Sequence, residues 1–296
     1  MSVLLSLLIT GCAGATSSRP LTPGTRFLVV AAESSWGSIA GQLAGTRAEV
    51  RSVIENPGTD PHSYTPTAGD SRLLAESRLA IVNGIGYDRW ASQALAANPD
   101  AGRVVVDTGR VLGLGEGANP HQWYRPAAVA RMVGVISSAL ARLDPTDAAY
   151  FAGRRQALLS AGLAAYDRLR AEIRRRFAGT PVGYSESIFE PLGRDLGLVL
   201  ATPASFARAI AEGTEVTAQD RQTVERQAGT GQIRVWIENS QNLTPDVRRV
   251  SGLAAARRIP VVAVTETLSP AGTSFEDWQA AQLSALRAAL HRATGR

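Results

Sequence analysis

Thr146–Phe177, TDAAYFAGRRQALLSAGLAAYDRLRAEIRRRF, is the stretch that decides the architecture. Ala, Leu, Arg, Gln and Glu fill it, and glycine enters only at Gly153 and Gly162, so its propensities predict one long helix. At 1.5 Å per residue such a helix is roughly 45 Å long, too long for one layer of an ordinary α/β domain. Asp144-Pro145 separates it from an earlier helix over Ala127–Leu143, and Gly179 closes it. Ahead of it, strands are expected at Arg26–Ala31, Glu49–Ile54, Leu79–Val82 and Val104–Asp107, with helices at Ser38–Leu43, Thr67–Glu76 and Trp90–Ala97. After it, strands are expected at Val182–Tyr184, Leu198–Ala201, Val235–Glu238 and Val261–Val264. The helices between and beyond them fall at Phe189–Leu196, Thr217–Gln227, Pro245–Arg257 and Phe275–His291. Such alternation makes βαβ units and parallel sheets. The expected fold is α/β: two lobes of parallel sheet flanked by helices, over 25–144 and 179–296, bridged by one long helix over 145–178.

Residues 1–24 read as a leader and linker. Val3–Ile9 is a short apolar run, and Thr10-Gly11-Cys12 and a stretch rich in Ser, Thr and Pro follow it. Small residues before the only cysteine, behind an apolar segment, have the form of a bacterial lipoprotein signal with Ile9–Cys12 as lipobox. Cleavage there would leave a lipidated Cys12 and no free thiol. The basic n-region of such signals is missing, and a buried strand with an inert cysteine is the alternative. No other apolar run approaches the ~18–20 residues of a membrane span. The mature chain is therefore expected outside the cytoplasm, anchored to the cell membrane by lipid.

Of the 296 residues, 45% are hydrophobic and 19% charged, a globular composition able to bury a large core. The net charge of +5 raises the question of nucleic acid. The arginines are scattered, however, and no helix-turn-helix, zinc-finger or RNP signature is present, so no nucleic-acid partner is expected. Lysine is absent, and the densest basic cluster, Arg174-Arg175-Arg176, ends the long helix where cations suit the dipole.

The chain has three histidines, and two of them sit in matching contexts. Asn56–Pro66 is crowded with turn formers around Pro61-His62, and Asn119-Pro120-His121-Gln122-Trp123 repeats the design. Proline stiffens the backbone beside each imidazole. In open α/β sheets ligands bind beyond the carboxyl ends of strands. There His62 and His121 follow strands of the first lobe, and Glu186 and Glu266 follow Val182–Tyr184 and Val261–Val264 of the second. Two imidazoles and two carboxylates converging on the inter-lobe cleft suit Zn²⁺, Mn²⁺ or Fe²⁺, with no sulfur to favour Cu(I). Four protein ligands leave little room for a reactive water, so the site would hold a metal rather than catalyse.

These segments resemble those of the solute-binding proteins of bacterial ABC importers for zinc and manganese. Asp60-Pro61-His62-Ser63-Tyr64 followed by Asp70 is similar to that family's first ligand motif, and Asn119–Trp123 to its second. Tyr184-Ser185-Glu186 falls where the third ligand lies, and Ile259–Leu268, with Gly272 and Trp278 beyond, resembles the last-ligand segment. The resemblance runs from about Phe27 to Leu290. It implies His62, His121, Glu186 and Glu266 as metal ligands, a transported Zn²⁺ or Mn²⁺, a membrane permease with a cytoplasmic ATPase as partners, a monomer, and no enzyme activity. Zinc members commonly carry histidine at the third position and a His-rich loop in the first lobe. Here Glu186 and a histidine-free Gly109–Ala118 stand there instead, as in manganese-type members. Glu266 replaces the usual aspartate with a side chain one methylene longer.

Two enzyme readings compete. Gly183-Tyr184-Ser185-Glu186-Ser187 falls one residue short of a nucleophile elbow, and Asp246 or Asp277 with His291 would complete a serine hydrolase. A metal-dependent hydrolase would instead use His62, His121 and one carboxylate with an open coordination position. Trp36, Trp90, Trp236 and Trp278 read as packing residues, and Trp123 and Tyr64 either as packing residues or as walls of the cleft.

Overall fold

The first lobe runs β1 (Phe27–Glu33), α1 (Ser34–Ala44), β2 (Ala48–Ile54), α2 (Ala68–Glu76), β3 (Leu79–Val82), α3 (Arg89–Ala97), β4 (Val104–Asp107), α4 (Thr108–Leu112) and α5 (Pro126–Leu143). The computed structural model describes residues 26–59, 61 and 64–296. The expected leader with Cys12, and Asp60, His62 and Ser63 of the first proline-histidine loop, lie outside the described residues. All four strands pair in parallel in the order β2-β1-β3-β4. β1 as far as Ala32 and all of β3 are unbroken apolar runs because helices cover both faces of the sheet, whereas the edge strand β2 mixes buried and exposed residues. Thr67 and Asp70 close a capping box at the start of α2, and the Tyr64 hydroxyl donates to the same Asp70 carboxylate at 2.7 Å.

The bridge consists of α6 (Ala148–Ala157), a π-helical turn over Leu158–Gly162 and α7 (Ala164–Phe177). The expected single helix is thus present as a helical run with a wide turn inside it. A Cβ on Gly162 would stand 2.9 Å from a Leu158 methyl, so glycine lets the two turns approach. The turn re-phases the apolar stripe, and Phe151 before it, Leu158 at its start and Tyr166, Ile173 and Phe177 after it all stay buried.

The second lobe continues with β5 (Pro181–Tyr184), α8 (Glu190–Asp195), β6 (Val199–Leu200), α9 (Ala204–Ala211), α10 (Ala218–Gly229), β7 (Val235–Asn239), α11 (Pro245–Ala256), β8 (Val261–Val264) and α12 (Phe275–Thr294). Its strand order, β6-β5-β7-β8, is that of the first lobe, again all parallel. Two helices were not foreseen. α4 is a single turn capped by Asp107, too short to show a period, and α9 follows Pro203.

α5 is long and apolar enough to cross a membrane, with a mean hydropathy of 1.3 over 18 residues, unlike the expectation that no such run exists. It carries Arg131 and Arg142, and its buried face, from Ala128 to Leu140, packs in the main core, as a core helix of a globular domain does. That core is shared by both lobes: Trp123 and Tyr124 of the first join Phe275, Trp278 and Leu283 of the second in one cluster, with Tyr124 edge-on to Trp278. Ser34, Ser38 and Gln42 on α1 bond across to Leu268 N, Phe275 N and Glu276, which staples α12 to the first lobe.

Candidate metal centre

Glu186 and Glu266 each stand two residues past the end of a strand, β5 and β8. Asn239, the last residue of β7 between them, lies on the same rim of the sheet. Its amide donates to Glu186 Oε2 at 2.8 Å and to Glu266 Oε1 at 3.0 Å, holding the two carboxylates side by side. Asn242 adds a longer bond to Glu186 Oε2 at 3.3 Å. Gln241 accepts from the backbone N–H groups of Glu266 and Thr267, and its amide nitrogen bonds the Pro57 carbonyl on the first proline-histidine loop. The strand ends therefore fix where these carboxylates sit, and side-chain amides fix how they are turned.

His121 reaches the same place from the first lobe by a longer route. Asn119 Oδ1 accepts both the backbone N–H of His121 at 2.9 Å and its Nδ1 at 3.0 Å, while Asn119 Nδ2 donates across the cleft to Ser187 O at 2.7 Å. With the amide oriented by Ser187, Nδ1 carries the proton and Nε2 presents its lone pair to the carboxylates. Nε2 lies 3.8 Å from Glu186 Oε1 and 3.6 Å from Glu266 Oε2. Ligand atoms of His121, Glu186 and Glu266 all fall within 4.8 Å of one another, and all three residues are buried. A tetrahedral ion with bonds of ~2.1 Å separates its ligands by roughly 3.4 Å, so a small contraction would close this cluster on a cation. The structure thus brings together three of the four expected site residues; His62 lies outside the described residues.

Aromatic rings wall the cluster. Trp123 is fully buried, with its ring centroid 5.4 Å from that of His121 and 5.2 Å from that of Tyr87. Tyr87 donates from its hydroxyl to Glu266 Oε2 at 2.5 Å. Burial first, then the charge of Glu266, push the Tyr87 phenol well above its ordinary pKa, so it stays a donor. Tyr64, by contrast, packs edge-on to Trp90 and bonds Asp70 of α2. Asn239, Tyr87 and Gln241 were missed by sequence reasoning; the available signal was a polar Asn239 ending an otherwise apolar strand beside two suspected ligands.

The residues of the serine-hydrolase reading are engaged elsewhere. Ser185 is buried, and its hydroxyl accepts the Asn239 N–H at 2.9 Å, which makes it a brace between β5 and β7. Asp246 pairs with Arg221, Asp277 caps α12 with Ser274, and His291 is exposed near the end of that helix.

The family model for ZnuA, described as zinc-uptake complex component A, periplasmic, matches residues 29–289. The chain belongs to this family. Among curated relatives, the zinc-binding protein TroA of Treponema pallidum is 25% identical over 185 residues, covering 60% of this chain and 58% of that protein. The chain thus spans less than two thirds of that relative's length. The manganese ABC transporter substrate-binding lipoprotein PsaA of Streptococcus anginosus is 24% identical over 297 residues, covering 93% and 92%. Among solved structures, FpvC of Pseudomonas aeruginosa in complex with Mn²⁺ superposes with a TM-score of 0.73 at 20% identity, covering 90% of this chain and 99% of that one. At that identity the likeness shows a shared fold.

Proposed function

We propose that the chain captures a divalent transition metal ion outside the cytoplasm and delivers it to the membrane permease of an ABC importer driven by a cytoplasmic ATPase. The observation that carries this reading is the buried meeting of His121 Nε2 with the Glu186 and Glu266 carboxylates, one lobe supplying the imidazole and the other the acids. Two carboxylates buried side by side repel, and a cation between them reverses that cost. His62 is the fourth ligand on this reading. The loop it belongs to is held against the second lobe through Pro57 and Gln241, and family membership supports the assignment. The metal is cargo, and the chain is not an enzyme.

An N₂O₂ donor set suits Zn²⁺ or Mn²⁺, and Zn²⁺ binds more tightly in the Irving–Williams order unless geometry opposes it. The ligands must be deprotonated, so affinity falls as pH falls. Ser34, Ser38, Asn119 and Tyr87 bond across the lobes, which favours release by small shifts at the cleft over a wide swing. Lipidation of Cys12 would keep the protein close to its permease. The test is metal analysis of the purified chain, followed by chelator stripping and separate titration with Zn²⁺ and Mn²⁺. One ion per chain is expected, and absence of binding to either ion would refute the proposal. Intact-mass measurement of the membrane-extracted protein checks Cys12, where an unmodified cysteine would refute the anchor alone.

A further inference from the structure

A second pair of acids lies beneath the candidate centre, and the centre itself does not use it. Glu33 ends β1, the strand beside β3, and is 2% exposed; Asp88, in the loop after β3, is 1% exposed. The two carboxyl groups face each other. Asp88 Oδ2 accepts the Asn83 N–H at 2.7 Å and Oδ1 accepts the Gly84 N–H at 2.8 Å. Neither Glu33 oxygen has a donor from elsewhere in the described residues. Two buried carboxyls in contact cannot both ionise, and the one that already accepts two N–H groups keeps the charge. The proton therefore belongs to Glu33, whose carboxyl faces that of Asp88.

The loop that Asp88 grips is under backbone strain. Gly84, Ile85 and Gly86 have φ of 66°, 60° and 82° in succession, and Ile85 is a β-branched residue in the left-handed region. Gly84 cannot be replaced by a larger residue, because a Cβ there would meet Asp107 Oδ1 at 2.4 Å. Such a conformation persists only where its surroundings hold it. Two arms leave this loop for the metal centre. Tyr87 bonds Glu266, and Asn83 accepts from Trp36 Nε1 at 3.1 Å while donating to Pro120 O at 2.9 Å, the carbonyl just before His121.

We infer that Glu33 and Asp88 are positioning residues for metal capture: their shared proton locks the Asn83–Asp88 loop, and through Asn83 and Tyr87 that loop sets His121 and Glu266. The inference rests on the metal-capture reading, since it concerns the same centre.

Three variants test it, with Zn²⁺ affinity measured by chelator competition and exchange protection of the Asn83 and Gly84 amides measured on the metal-free protein. Glu33→Gln keeps a donor facing Asp88, so both readouts should stay near wild type, with affinity within ~3-fold. Glu33→Leu removes the donor at similar volume, and Asp88→Asn leaves one backbone N–H without an acceptor. Each should weaken Zn²⁺ binding by about 10-fold or more, the usual cost of losing a partner behind a metal ligand. Each should also expose the two amides. Equal affinities for Glu33→Gln and Glu33→Leu would overturn the inference, as would equal losses in Glu33→Gln and Asp88→Asn, which would mark the pair as a mere negative charge. Should the wild-type chain bind no metal, the metal reading fails by itself; amide protection unchanged in Glu33→Leu would then sink the lock as well.

Discussion

The two lobes share one strand order, yet they build the candidate metal centre differently. The second lobe delivers Glu186 and Glu266 two residues beyond strand ends, with Asn239 on the intervening strand bonding both. The first lobe delivers His121 from a loop well past β4, and that loop depends on props: Asn119 behind the imidazole, Asn83 behind Pro120, Trp123 against the ring. A parallel sheet fixes the backbone just past its strands, so the partners of the acids only set how the carboxylates turn. A loop residue reaches the same precision only with dedicated partners. The acids should therefore be tolerant of changes in the surrounding loops, and the imidazole should not.

The largest effect should come from the acids themselves. Glu186→Ala and Glu266→Ala should each weaken Zn²⁺ binding by more than the ~10–100-fold that loss of a partner behind a ligand costs, read by competition with a chromogenic chelator. A hydrolase would lose turnover in Glu266→Ala while retaining metal, so equal affinity in that variant would favour the enzyme reading. Next come the props. Asn239→Ala and Asn119→Ala should fall within ~10–100-fold, but for separable reasons. Asn239→Ala frees both carboxylates together, whereas Asn119→Ala releases the His121 tautomer, visible as a changed imidazole nitrogen shift in NMR. If Asn119→Ala leaves that shift and the affinity unchanged, the contrast between loop and strand ends collapses. Tyr87→Phe removes one hydrogen bond to Glu266 and should cost about 10-fold or less.

The smallest effect concerns stability. Burial, then the neighbouring Asp88 charge, hold the Glu33 carboxyl well above its ordinary value of 4.5. Between the unfolded and folded values the native state keeps a proton that the unfolded chain has lost. Stability therefore falls as pH rises through that window, by up to about 1.4 kcal/mol per pH unit. Glu33→Gln should flatten that slope upward of pH 4.5 in denaturant titrations of the metal-free protein, and an unchanged slope would count against the protonated Glu33.

Most of the fold was legible in the chain. Leu79–Val82, Val104–Asp107 and Val261–Val264 are strands with the very ends expected, because unbroken apolar runs bounded by polar or small residues leave little choice. The long helical run was legible as well, but its π-helical turn was not. Propensity sees glycine as a weak helix former and cannot see that Leu158 packs where a Gly162 side chain would be. The convergence of Glu186, Glu266 and His121 was legible from their place after strands. Asn239, Tyr87, Glu33 and Asp88 were not, since an asparagine or an acid at a strand end has no period and no motif. Their meaning lies in which strands become neighbours. Glu33 and Asp88 are 55 residues apart in sequence and meet only because β1 and β3 are adjacent in the sheet.

The most direct measurement is the metal stoichiometry of the purified chain, by mass spectrometry of the native protein and by Zn²⁺ titration of the stripped one, alongside a His121→Ala/Glu186→Ala variant. The account predicts one tightly held ion per wild-type chain, and a folded double variant that holds none. A wild-type chain that takes up no ion, or a double variant that binds as well as wild type, would contradict it.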